Sequence, residues 1–220
     1  MTAVFGFLIR PACVEIRTMS TFSPPLPKLL IFAGSTREHS LNRQLARAAA
    51  EMARAYGAKV TLLELGDFDI PMYNADLEAA GTPPDVLRLK QLMFEHPAWI
   101  ICSPEYNASY TALLKNTIDW VSSPVKSNPD WTDGFKSFRG KVVGLLSASP
   151  GALGGLRSQS QLAPLLLNVQ CWVAPKVFAL SRAGEAFDSH GRLRDPAHQQ
   201  QVQAVIDQVL FAGARLSAPA

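Results

Sequence analysis

Apolar and polar positions follow one another along this chain in blocks that predict strands and helices in turn. Leu29 to Ala33 is a short apolar run that ends at Gly34, which is typical of a buried strand. Apolar side chains then recur every three or four residues, at Leu41, Leu45, Ala49, Met52 and Tyr56. This stretch is therefore predicted to form a strand, a tight loop and an amphipathic helix.

The same alternation continues to the end of the chain. Four more strands are predicted, over residues 59–65, 98–102, 141–146 and 173–180. Helices are predicted over residues 83–96, 113–121, 156–167 and 199–210. Thr82 is expected to cap the first of these, with Pro83 at its first position. Nearly continuous apolar strands separated by helices indicate a parallel sheet that is covered on both faces.

Residues 1–27 are set apart from this pattern. Val4 to Ile9 are apolar, but Arg10 and Arg17 follow the apolar run, which does not suit a secretory signal. The three prolines at 24, 25 and 27 predict an extended linker. The segment is interpreted as a disordered tail, a targeting leader or the product of a start site placed upstream of Met19. We expect a non-core extension of the first or the third kind, and a single domain over residues 28–220.

Composition narrows the class of protein. The 220 residues are 48% hydrophobic and 18% charged, with a net charge of +3 and no apolar run long enough to span a membrane. The basic residues are scattered, so no nucleic-acid surface is predicted. The three cysteines are dispersed and favour a reducing, cytoplasmic compartment. The four histidines show no ligand spacing, and no metal site is expected.

The loop after the first strand carries hydroxyl, guanidinium and amide groups, at Ser35, Thr36, Arg37, Ser40 and Asn42. It leads into a helix N-terminus, where free N–H groups and the helix dipole attract anions. Neither the G-x-G-x-x-G pattern of dinucleotide folds nor the nucleotide triphosphatase pattern is present. The loop therefore predicts a site for a phosphate monoester. The alternative is ordinary capping by Ser40 beside a solvated arginine.

Two more polar loops are expected at the same edge of the sheet, where ligands of parallel sheets bind. Ser103-Pro-Glu-Tyr-Asn107 follows the third strand and offers the aromatic face of Tyr106. Ser147 to Gly155 follows the fourth strand, and its glycines allow a main chain to approach a flat ligand closely. Alone, the first of these would be a turn with an exposed tyrosine, and the second a flexible loop. Together the three loops predict a binding site.

The three loops, together with Leu114-Lys-Asn-Thr-Ile-Asp-Trp120, give the chain a resemblance to a known family. It resembles the NADPH-dependent FMN reductases, which include chromate-, quinone- and azo-reducing members, over roughly residues 28–180. The resemblance implies a flavodoxin-like, doubly wound, five-stranded parallel sheet with the strand order 2-1-3-4-5. Many members have Pro-Gly where this chain has Thr111-Ala112, and contacts at that helix start are the ones affected.

The resemblance also implies which residues bind the cofactor. The FMN phosphate would be held by Ser35, Arg37, Ser40 and Asn42. The ribityl chain and the isoalloxazine ring would be lined by Pro104, Glu105, Tyr106 and Asn107. Ser147 and Gly151 would lie at the other edge of the ring.

The activity implied is a ping-pong reaction in which NADPH or NADH gives hydride to FMN and an acceptor then takes two electrons. Quinones, azo dyes, chromate and free flavin are the expected acceptors. No catalytic side chain is expected, because flavin carries the chemistry. Two alternatives stay open: a flavodoxin-like electron carrier without its own NAD(P)H activity, and a flavin-free module that keeps only the fold.

A homodimer or homotetramer is also implied by the resemblance. The sequence adds three aromatic residues to the polar connection before the fourth strand, at Trp131, Phe135 and Phe138. Aromatic side chains are enriched at interfaces. The equally plausible alternative is a local apolar cover over the edge of the sheet.

Overall fold

The computed structural model of the protein describes residues 25–216. Six strands form one parallel sheet: β1 (Leu29–Ala33), β2 (Val60–Leu63), β3 (Ala98–Cys102), β4 (Val142–Ala148), β5 (Trp172–Val173) and β6 (Phe178–Leu180). The strand order is β2-β1-β3-β4-β5, and β6 also pairs with β4. The predicted flavodoxin-like order is therefore confirmed.

The fifth position of the sheet differs from the prediction of one strand over residues 173–180. β5 pairs with the start of β4 through Trp172 and Val173, and β6 pairs with its end through Phe178 to Leu180. Pro175 lies in the gap between them. A proline has no N–H to donate to a ladder, which accounts for the interruption.

Within residues 25–216, six α-helices connect and cover the strands: α1 (Leu41–Ala55), α2 (Ala75–Ala80), α3 (Pro84–Phe94), α4 (Ala112–Ser122), α5 (Leu156–Asn168) and α6 (Pro196–Leu216). The predicted start of α3 is wrong by one position, because Pro83 is the N-cap and Pro84 is the first helical residue. Both prolines suit a first turn, since neither needs an N–H partner there. Helix α2 was not predicted, and none of its residues is buried.

Apolar side chains fill both faces of the sheet. One cluster lies between the sheet and helices α1 and α6. The other lies between the opposite face of the sheet and helices α3, α4 and α5. Helix α6 approaches β4 closely at Gly144, where an added Cβ would lie 2.7 Å from Val209 and 2.8 Å from Val205. The central strands β1, β3 and β4 are buried on both faces, which is the arrangement that continuous apolar runs predict, whereas β2, β5 and β6 at the edges are only partly buried.

The connection between α4 and β4 folds back onto the body of the protein. Trp131 and Phe138 are buried, and Phe135 packs against the α3–α5 cluster. The ring of Phe138 meets the ring of Trp99 edge-to-face at 5.6 Å. Of the two alternatives for these aromatic residues, the structure therefore favours the local apolar cover.

The described chain begins close to its predicted domain boundary. Pro27 is buried, and its ring lies 3.1 Å from where a Cβ would project from Gly213 of α6. Packing on the body therefore starts by residue 27, one residue before the predicted boundary. The rest of the predicted extension lies outside the described residues. None of the helices described is long and apolar enough to cross a membrane.

Candidate functional site

The loops that follow β1, β3 and β4 meet at one edge of the sheet. Ala33, at the end of β1, pairs with Cys102, which in turn pairs with Leu146 of β4. We call residues 34–40 the first loop, 103–111 the second loop and 149–155 the glycine loop. A cavity of about 200 Å³ opens between the first two, with a lining formed by Gly34, Ser35, Thr36, Arg37, Tyr106, Thr111, Ala112 and Leu113.

Arg43 of α1 shapes the first loop from behind. Its Nη1 donates to the carbonyl oxygens of Thr36 at 3.4 Å and Arg37 at 3.1 Å, while its Nε binds Glu64 at 2.9 Å. Two carbonyl oxygens of the first loop are thus hydrogen-bonded to the Arg43 guanidinium of α1. Sequence reasoning missed Arg43, because a basic residue early in an amphipathic helix resembles any solvated one.

Arg37 lies at the tip of the first loop. Its side chain is exposed, and within residues 25–216 its guanidinium has no hydrogen-bond acceptor or carboxylate partner. Ser35 is buried beside it, and the Ser35 hydroxyl accepts from the Arg37 N–H at 3.4 Å. Ser40 caps α1 by accepting from Arg43 N–H, also at 3.4 Å. The loop therefore presents a free guanidinium and a hydroxyl next to a helix N-terminus, a donor set that fits a phosphate.

The Asn42 side chain binds the main chain of β4, whereas the family resemblance implies a contact with the FMN phosphate. Its Nδ2 donates to the carbonyl of Ala148 at 2.8 Å, and its Oδ1 accepts from the Ala148 N–H at 2.9 Å. The residue is 3% exposed. Asn42 therefore ties α1 to the end of β4, and its amide is not directed to a phosphate.

A tight turn at the tip of the second loop holds Tyr106 out from the surface. Tyr106 and Ser109 exchange main-chain hydrogen bonds of 2.9 and 3.1 Å. Between them, Asn107 and Ala108 have φ values of 51° and 65°, as in a type I′ turn. Tyr106 is 56% exposed and lines the cavity. The turn thus fixes an aromatic face beside the first loop, at the cost of an alanine in left-handed conformation.

The start of α4 completes the cavity and was not predicted as part of it. Thr111 caps the helix, accepting from Leu114 N–H at 3.3 Å, and it donates to the carbonyl of Gly34 at 2.8 Å. Ala112 and Leu113 then line the cavity beside Arg37. Their N–H groups belong to the first turn of α4, where no earlier helical carbonyl is available to accept from them.

Glu105 is also directed away from the cavity. Its carboxylate accepts hydrogen bonds from Arg157 at the start of α5, and its side chain is 10% exposed. Pro104, which precedes it, is buried. The structure therefore does not support a direct cofactor contact through the carboxylate of Glu105.

The glycine loop leads from β4 into α5. Gly154 has a φ of 62°, and a Cβ there would lie 2.7 Å from the main chain of β6. Gly151 accepts a hydrogen bond from the Arg182 N–H at 3.1 Å. Ser147 was expected at the edge of the flavin ring, but its side chain is fully buried. Its hydroxyl accepts a hydrogen bond from Gln159 Nε2 at 2.7 Å.

Cys102 ends β3 directly below the second loop. It is fully buried, and burial raises the pKa of its thiol well above the ordinary range. The thiol therefore stays protonated at neutral pH and is a poor nucleophile.

Larger cavities lie away from the three loops. One of about 610 Å³ runs along the outer face of α1 beside residues 188–193, and one of about 540 Å³ lies between α2 and residues 124–127. Neither brings together the residues that the sequence predicted as a site. The smaller cavity at the edge of the sheet combines the exposed guanidinium of Arg37 with the aromatic face of Tyr106.

Residues 27–185 match the family model described as NADPH-dependent FMN reductase. An NAD(P)H-dependent FMN reductase of Pseudomonas aeruginosa is 37% identical over 185 residues, which cover 81% of this chain and 92% of the relative. An NAD(P)H:quinone oxidoreductase of Solanum tuberosum is 35% identical over 189 residues, which cover 83% of this chain and 90% of the relative.

A solved structure of a related protein has a similar fold. FerB of Paracoccus denitrificans, a flavoenzyme NAD(P)H:(acceptor) oxidoreductase, superposes with a TM-score of 0.68 and is 30% identical. The match covers 84% of this chain and 97% of FerB.

Proposed function

This chain belongs to the NADPH-dependent FMN reductase family and is an NAD(P)H-dependent oxidoreductase with FMN as its cofactor; we propose that quinones are its electron acceptors. The names of its relatives favour an enzyme with its own NAD(P)H activity over an electron carrier. The observation that carries the proposal is the cavity in which a free guanidinium and an exposed tyrosine face are brought together.

We assign the phosphate end of FMN to the first loop. Arg37 would give a charge-assisted bond, and Ser35 and Thr36 lie on the same wall of the cavity. Ser40 would contribute through its cap, which orients the first turn of α1. These groups fit a phosphate monoester because its three oxygens accept from several donors at once.

We assign the ring of FMN to the space between the second loop and the glycine loop. Tyr106 and Asn107 would line one side, with Pro104 beneath them. Main-chain N–H groups around Gly151 would face the other edge, where they favour negative charge. The proposed role of Asn42, Glu105 and Ser147 is to hold these loops in place, because their side chains are engaged within the protein.

When bound, FMN would accept hydride from a nicotinamide and pass two electrons to an acceptor. The protein contributes binding and orientation. The turn at Asn107 and Ala108 holds the Tyr106 side chain out at the rim of the cavity. The small side chains of Ala108 and Ser109, in the same turn as Tyr106, would leave room beside the bound ring for acceptors of varied shape. We therefore propose broad specificity, with azo dyes, chromate and free flavin reduced more slowly than quinones.

The experiment is to load the protein with FMN and to follow NADPH and NADH oxidation with a benzoquinone present. We expect oxidation that depends on both FMN and quinone. A yellow protein that oxidises neither nucleotide under these conditions would contradict the proposal and favour the electron-carrier alternative. A protein that takes up no flavin would favour the flavin-free module.

We also propose a homodimer or homotetramer in the cytoplasm. The oligomer follows from the family resemblance, and the reducing compartment is supported by the two cysteines within residues 25–216, both of which are buried free thiols. Light scattering at micromolar concentration tests the oligomer, and a fully active monomer would contradict it.

A further inference from the structure

The carboxylate of Glu105 reaches from the second loop to the first turn of α5. Its Oε2 accepts from the main-chain N–H of Arg157 at 3.0 Å, and its Oε1 accepts from Arg157 Nε at 2.7 Å. Arg157 Nη2 lies 2.5 Å from the same Oε1. One carboxylate thus binds both the main chain and the side chain of a residue at the start of α5.

Helix α5 depends on this carboxylate because it has no side-chain cap of its own. Gly155 is the N-cap, with a left-handed φ of 90°, and a Cβ there would lie 2.8 Å from the Cβ of Ser147. A serine or aspartate cap is therefore excluded at position 155. Glu105 supplies the acceptor from 52 residues away. Its negative charge is also favourable at the positive end of the helix dipole.

The two residues sit at the bases of the two loops that would flank the flavin ring. Tyr106 follows Glu105 directly, and the glycine loop leads into α5 one residue before Arg157. Within residues 25–216, the other side-chain hydrogen bond between α5 and the second loop is a longer one, from Ser158 Oγ to the Ser103 carbonyl at 3.4 Å. The carboxylate–guanidinium pair is thus the principal polar link between these loops.

We propose that the Glu105–Arg157 pair sets the separation of the second loop from the glycine loop. It would thereby set the width of the space between these loops to which we assign the isoalloxazine ring. This inference rests on the proposed function, since it requires FMN between the two loops. Arg157 is a positioning residue, and Glu105 acts through it. The Arg157 side chain is 57% exposed, so its removal leaves the packing of the sheet intact.

The test is FMN titration of the apoprotein, with Arg157→Gln compared with the wild type and with Arg192→Gln. Arg192 is a matched control because its main-chain N–H, Nε and Nη2 also bind a single carboxylate, that of Asp188. That pair lies beside the outer face of α1, away from the three loops. Visible circular dichroism of the bound flavin gives a second readout that reports the ring's surroundings.

We expect Arg157→Gln to weaken FMN binding by about 10–100-fold, the scale found when a residue that orients a binding group is removed, and to alter the flavin dichroism. Arg192→Gln should change neither. Both apoproteins should melt within about 3 °C of the wild type, because the main-chain N–H of residue 157 or 192 still donates to the carboxylate and the arginine side chain that is removed is itself exposed. Arg157→Lys keeps the positive charge but loses the planar guanidinium, which can donate two hydrogen bonds to one carboxylate. Its FMN affinity should therefore fall between those of Arg157→Gln and the wild type.

A double variant tests whether Glu105 and Arg157 act together or independently. If the two residues act as one link, Glu105→Gln combined with Arg157→Gln binds FMN no more weakly than the weaker single variant. Additive losses would overturn the inference, and so would wild-type affinity and dichroism in Arg157→Gln. A wild-type protein that binds FMN but fails to oxidise NAD(P)H contradicts the proposed function instead, and the titration still tests the positioning.

Discussion

Replacing Asn42 by alanine separates a structural role for this residue from a role in binding FMN. Its side-chain amide donates to the Ala148 carbonyl at 2.8 Å and accepts from the Ala148 N–H at 2.9 Å. These two bonds join the first turn of α1 to the end of β4, 106 residues away along the chain. Both residues are buried, so water does not readily replace the amide.

The size of the effect follows from the two groups that lose their partner. A buried main-chain group without a hydrogen bond costs about 1–3 kcal/mol. Two such groups, with some relaxation of the loop, give an expected loss of about 2–4 kcal/mol. In a chain of 220 residues, each kcal/mol lowers the melting temperature by about 2–4 °C. The apoprotein of Asn42→Ala should therefore melt about 4–16 °C below the wild type.

The assay is a thermal melt of FMN-free protein, followed by circular dichroism. Asn74→Ala is the control: Asn74 caps α2 by accepting from the N–H groups of Asp76 and Leu77 at 2.8 and 3.3 Å, and its loss at an exposed helix should cost about 1 kcal/mol or less. If Asn42→Ala melts like the wild type without FMN but binds FMN weakly, the structural role is refuted. The side chain would then be the phosphate ligand that the sequence predicted.

Three further changes test the site and the core. We expect Arg37→Ala to weaken FMN binding by about 1.5–3 kcal/mol without altering the apoprotein melt, and equal affinity by titration would contradict the phosphate assignment. Ala108→Gly should raise the free energy of unfolding by up to about 1 kcal/mol in urea denaturation, because Ala108 has a φ of 65°; no gain would show that the turn carries no strain. Burial lowers the pKa of Lys90 from 10.5 to about 8, so the unfolded chain binds more protons between these values and stability due to Lys90 rises with pH there. The unfolding free energy of the wild type minus that of Lys90→Met should grow over that range, and a constant difference would contradict it.

The central strands were predictable because burial on both faces leaves a continuous apolar run. β1 and β3 have the predicted bounds, Leu29–Ala33 and Ala98–Cys102, and each of the other predicted strands contains observed strand residues. Helix α2 shows the opposite case: none of its residues is buried, so no apolar periodicity marks it. Its signal was local, in the cap at Asn74 and the acidic Asp76 and Glu78 of its first turn.

The site was predictable as a place more than as a set of contacts. Polar chemistry after three parallel strands locates the edge of the sheet where loops meet. It does not say which polar atoms are consumed within the protein. An asparagine that binds phosphate and one that binds Ala148 look alike in sequence, and so do a free carboxylate and one paired with Arg157, since each partner lies far along the chain.

The start of α4 shows how such long-range bonds define this cavity. This chain has Thr111-Ala112 at the start of α4, and a proline at 111 would offer no hydroxyl. The Thr111 hydroxyl bonds the Gly34 carbonyl at 2.8 Å and so joins the second loop to the first. Asn42 joins the first turn of α1 to β4, and Glu105 joins the second loop to α5. The proposed FMN site is thus bordered by three polar bonds, each of which joins segments at least 52 residues apart along the chain.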